Sequence, residues 1–151
     1  DKYVPRAADQ VAALMVDKLG RLGKKSGHGF YEYPADAKKH LWAGLAEHFP
    51  ARTEQPSLEQ VIERLMLIQS LETVRCLEEG VLTSPQDADV GAILGWGYPP
   101  FRGGPIGQIH TLGVANFVAA CDRLAEQCGD RFRPTESLRK KSAEGSQFFL
   151  I

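Results

Sequence analysis

The 151-residue sequence predicts a mainly α fold. Apolar residues recur at helical spacing over most of the chain, two clear helix-start patterns occur at Ser57 and Ser84, and no strand–helix alternation is present that would build a parallel sheet. The one extended stretch expected is short and aromatic, near Phe30–Tyr33.

Each element follows from its own residues. Val11, Leu14, Met15 and Leu19 share one helical face, and Gly20 is a natural stop, so a first helix is predicted from Arg6 to Leu19. A glycine-rich basic loop follows, then Phe30, Tyr31 and Tyr33, whose rings favour extended backbone up to Pro34. Leu41, Trp42, Leu45 and Phe49 make an apolar stripe that predicts a second helix. Pro50–Pro56, with two prolines and no large apolar residue, reads as a linker. The expected division is therefore 1–50, a linker over 51–56, and 57–151.

Ser57-Leu58-Glu59-Gln60 is a capping box that opens a long helix running to Gly80. At about 1.5 Å per residue it should be roughly 33 Å long. Ser84-Pro85-Gln86-Asp87 opens the next helix, expected to reach Leu94, with proline at its first position and a carboxylate at its positive end. Residues from Gly95 to Gly104 read as irregular, and Pro105 starts a short helix carrying Ile106 and Ile109. Val114, Phe117, Val118, Cys121, Leu124, Ala125 and Cys128 form the most regular amphipathic pattern, closed by Gly129. A last helix follows Pro134-Thr135 and ends at Gly145.

Composition excludes several function classes. Net charge is −1 and charged residues make up 25%, so no basic field argues for nucleic acid or an anionic membrane. The apolar runs are far too short to span a bilayer. The three cysteines show no Cys-x-x-Cys and suit reduced thiols; Cys121 and Cys128, seven apart on one helix, are expected as small core residues. The chain opens on Asp1 rather than methionine, so a piece cut from a longer protein is expected. No signal peptide is visible, and the terminal Phe-Phe-Leu-Ile is not a peroxisomal address.

The chemical motifs are thin. Gly20–Pro34 is rich in glycine and lysine but fails the phosphate-loop pattern, because Lys18 stands where the first glycine belongs and Lys25 where the hydroxyl belongs. It fails the dinucleotide pattern at Glu32. It reads instead as a bend into the aromatic segment. His40 and His48 are eight apart on the predicted second helix, two turns distant, and His28 and His110 have no ligand-spaced partner, so no metal site is expected. Asp87 and Asp89, at i and i+2, face different directions, and Asp87 has the capping role. Glu78 and Glu79 read as a solvated face paired weakly with Arg75, and no serine sits in a nucleophile elbow. No catalytic, cofactor or metal residue is assigned.

The most unusual stretch is Gly95-Trp-Gly-Tyr-Pro-Pro-Phe-Arg-Gly-Gly104. A helix start at Pro105 beside Arg102 can hold an anion, while the aromatics suit a rigid packed corner. Both a structural corner and a ligand or partner surface stay open. Trp96, framed by Gly95 and Gly97, is expected to pack on the long helix from Ser57 to Gly80.

Two long motifs resemble one family. Gly20-Arg-Leu-Gly-Lys-Lys-Ser-Gly-His-Gly-Phe-Tyr-Glu-Tyr33 is similar to the end of a helical domain in 3-hydroxyacyl-CoA dehydrogenases. Cys76 through Pro105 is similar to the second such helical domain, found in the multifunctional fatty-acid β-oxidation proteins that also carry an enoyl-CoA hydratase part. The resemblance implies a helical bundle of the dehydrogenase's C-terminal type, with the tail of one domain at 1–50 and a whole second domain at 57–151. It implies a parent that oxidises (3S)-3-hydroxyacyl-CoA to 3-oxoacyl-CoA with NAD, in the cytoplasm. The NAD fold and the catalytic His–Glu pair would lie upstream, leaving this piece non-catalytic alone. Implied partners are the NAD-binding domain and first helical domain of the parent chain, the acyl-CoA substrate, and a thiolase subunit. Self-association of the piece is also expected, through apolar surface left by the missing neighbour. Some bacterial members carry a tyrosine in contact with acyl-CoA just before the Gly-x-Gly of the second domain. This sequence has Leu94 there, which keeps a shape contact and lacks the hydroxyl. A free-standing helical interaction module is the alternative reading.

Overall fold

The computed structural model describes residues 7–148. The chain is mainly α and divides into two compact units, the first ending at Gln55 and the second starting at Pro56.

In the first unit, α1 spans Ala7–Ala13 and passes into one wider π turn over Leu14–Lys18. The predicted helix is thus regular for only part of its length, and Arg6 lies outside the described residues. The Leu19 N–H donates to the Leu14 carbonyl at 3.1 Å, and Gly20 at φ +64° ends the run. The wider turn coincides with burial of Met15, which is 2% exposed.

The glycine-basic stretch is a folded-back turn. Gly23 N–H donates to the His28 carbonyl at 2.8 Å, and the Ser26 hydroxyl donates to the Gly23 carbonyl at 2.9 Å. The aromatic segment is extended as expected, with β1 (Tyr31–Glu32) pairing antiparallel to β2 (His40–Leu41). This pairing corrects the predicted second helix. Only α2, Leu45–His48, is helical there, because Trp42 N–H goes to the Phe30 carbonyl at 3.0 Å and holds the preceding residues extended. His40 and His48 therefore do not share a helix. The Arg21 guanidinium lies 4.0 Å from the Trp42 ring centre and bonds both the Gly29 carbonyl, at 2.7 Å, and Glu32, at 2.6 Å. One arginine so ties the loop, the strand and the tryptophan together.

In the second unit, α3 runs from Leu58 to Glu78. Its capping box is complete: Gln60 N–H donates to Ser57 Oγ at 3.3 Å, and Ser57 N–H to Gln60 Oε1 at 3.0 Å. Next, α4 spans Pro85–Trp96, capped by Ser84 Oγ accepting from Asp87 N–H at 3.0 Å. It outruns the expected end at Leu94 by two residues, because the turn that stops it needs the left-handed backbone of Gly97, φ +77°. Then follow α5 (Gly104–Leu112), α6 (Val114–Cys128) and α7 (Glu136–Glu144).

These helices enclose one core. Leu67, Leu71 and Val74 of α3 meet Ile106 and Ile109 of α5 and Phe117, Cys121 and Leu124 of α6, with Phe132 and Leu138 closing it. Each large side chain so buried contributes about 1.5–3 kcal/mol. Cys121 is fully buried and Cys128 packs against the same core, as their spacing predicts. Polar latches fix the chain's end to α3. Arg75 bonds Glu72 and reaches the carbonyls of Arg131 and Arg133 at 3.0 and 3.1 Å, rather than pairing with Glu78 or Glu79. Glu78 accepts from the hydroxyls of Thr135 and Ser137. Arg139 grips Asp122 of α6 through two bonds of 2.5 and 2.9 Å.

Candidate functional site

The corner between α4 and α5 is where the unusual sequence becomes unusual geometry. Asp89, in the second turn of α4, is buried. Its Oδ1 accepts from the Ile106 N–H at 2.7 Å and its Oδ2 from the Gly107 N–H at 3.1 Å. It thus occupies the N-terminal end of α5, a position of positive partial charge. Burial pushes its carboxyl above the ordinary range, and the two backbone bonds oppose that push. By its i, i+2 spacing Asp89 faces another way from Asp87, and in the fold that direction is toward α5.

Gly104 makes this approach possible. It holds φ +93°, and a methyl built there would lie 2.5 Å from Asp89 Cβ. The helix start that Pro105 and Arg102 offered as an anion site is therefore filled by the chain's own carboxylate.

The aromatics of the corner divide. Tyr98 is 1% exposed, and its hydroxyl donates to Gln108 Oε1 inside the unit. Burial raises the Tyr98 phenol, which stays protonated. Trp96 is 63% exposed. Its Nε1–H donates to Gln69 Oε1 of α3 at 3.1 Å, but the ring is largely exposed, so its expected burial against the long helix is corrected. Gly97 takes the chain from an outward tryptophan to an inward tyrosine in two residues. Phe101 is 84% exposed, with the Arg102 guanidinium 5.7 Å from its ring centre.

The sequence of α4 is apolar on almost every side, and only one side is covered within the unit. Ala88 and Ala92 are buried, whereas Val90 and Leu94, one turn apart, stand exposed at 56% and 80%. Between α3 and α4 lies a groove of about 570 Å³, lined by Thr73, Cys76, Leu82, Ala88, Ala92 and Trp96 among others. A second hollow of about 360 Å³ is bounded by Ile62, Met66, Arg102, Gln108, Leu112 and Ala120. Leu58 and Leu65 add further exposed apolar surface to α3. Leu94, the predicted substrate contact, thus sits on the outer face of α4, beside but not lining the groove. The sequence carried one signal for this surface: α4 lacks the polar stripe of a helix that faces water.

These surfaces can recognise apolar shape. Among the described residues, no group of three His, Cys, Asp or Glu side chains is placed to hold a metal, and no helix is long and apolar enough to cross a membrane.

Fold and site together define a helical domain with apolar faces turned outward. No family model matches the chain. Among curated proteins it is similar to the fatty acid oxidation complex subunit alpha of Shewanella oneidensis, 42% identical over 145 residues, which cover 91% of this chain and 20% of that protein. The subunit of the same name from Pseudomonas syringae pv. tomato is 44% identical over 139 residues, covering 87% of this chain and 19% of that protein. That from Shewanella baltica is 41% identical over 146 residues. The chain therefore corresponds, over some nine-tenths of its length, to part of proteins of that name, and spans about a fifth of their length.

Proposed function

We propose that this chain is a non-catalytic helical region of a multifunctional fatty-acid β-oxidation protein, C-terminal within it. The parent would oxidise (3S)-3-hydroxyacyl-CoA to 3-oxoacyl-CoA with NAD, and this region would buttress the NAD-binding domain and the substrate cleft. The observation that carries the reading is identity above 40% to the fatty acid oxidation complex alpha subunits along almost the whole chain. The outward apolar face of α4 supports it, since such a face is stable when other protein covers it. The division at Gln55 and Pro56 accords with the tail of one helical domain followed by a second one. The reading extends to acyl-CoA as substrate, to a thiolase subunit as partner and to a cytoplasmic location. Leu94, exposed at the end of α4, is its proposed substrate-side contact.

The uncovered groove beside Trp96 also suits the alternative, a free-standing helical interaction module. The coding sequence upstream separates the two. A strand followed by Gly-x-Gly-x-x-Gly, and a full-length product that reduces NAD with 3-hydroxyacyl-CoA, would support the enzyme reading. A product that has neither would overturn it. Titrating NADH into the chain alone tests the assignment of roles. Saturable binding tighter than about 100 µM, near −5.5 kcal/mol, would contradict a non-catalytic part.

A further inference from the structure

We draw no further inference here: the strongest candidate, the apolar groove between α3 and α4 at Cys76, Ala92 and Trp96 with the exposed outer face of α4 beside it, carries nothing more because nothing in the structure shows what covers it.

Discussion

Asp89 Oδ1 lies 2.7 Å from the backbone nitrogen of Ile106, so one side chain of α4 caps the start of α5. Replacing Asp89 with alanine leaves the Ile106 and Gly107 N–H groups unmatched beside the core. The expected cost is about 1–3 kcal/mol, read as a lower denaturant midpoint with the slope unchanged.

The same carboxyl sets a pH dependence. Its folded value is raised above the unfolded one, so the folded chain binds its proton more readily. Its contribution is therefore fully present below the unfolded value, and it is lost as pH rises through the folded value. Melts of Asp89→Asn against the parent sequence, taken from acid to neutral pH, should show the parent losing relative stability across that window. An identical slope in both proteins would refute the assignment.

Glycines in this unit should divide by surroundings. Gly104→Ala places a methyl against Asp89 at positive φ and should cost about 1–3 kcal/mol or more. Gly91→Ala, on α4 with open space around it, should stabilise the isolated chain by about 0.5–1 kcal/mol. If the parent protein covers that face, the same methyl should lower the parent's stability or activity. Paired melts of chain and parent would reveal the opposite signs.

Trp96 and Tyr98 should respond very differently to truncation. Trp96→Ala removes an exposed ring and one hydrogen bond, for about 1 kcal/mol or less. Tyr98→Ala empties a buried site and should cost about 3–5 kcal/mol. Equal midpoint shifts would show that the corner is packed otherwise.

Thiol labelling gives a check that needs no mutation. Burial, with Asp122 nearby, pushes the Cys121 thiol up to about 12, so almost no thiolate exists at neutral pH. A maleimide should label the partly exposed Cys76 and Cys128 first and reach Cys121 only on unfolding. Peptide mapping by mass spectrometry reads the order.

Local signals were legible where the partner lies a few residues away. Ser57 with Gln60, Ser84 with Asp87, and the glycines closing α6 and α7 fix their helix ends by short-range bonds. Asp89 was not legible, because its partners lie 17 and 18 residues on and only folding brings them together. Trp96 and Tyr98 share one Gly-Pro frame, and which ring turns inward depends on the positive φ of Gly97 and on the Gln108 acceptor across the corner. Leu41, Trp42, Leu45 and Phe49 imitate a helical stripe, but the strand pairing with Tyr31 and the Arg21–Trp42 stack hold the first two elsewhere. The apolar surface of α4 was present in its composition, while its exposure depends on what the neighbouring helices leave uncovered.

The carboxylate of Asp89 gives the start of α5 its own counter-ion. A helix start left bare would draw phosphate or sulfate from solution, and its stability would then rise with the concentration of those salts by mass action. Above the pH at which Asp89 protonates, the intramolecular carboxylate holds this position through the Ile106 and Gly107 N–H groups, so a dissolved anion would have to displace a group fixed to the same backbone. At neutral pH sulfate should therefore raise the melting temperature of Asp89→Ala, where the α5 start is bare, more steeply than that of the unsubstituted chain.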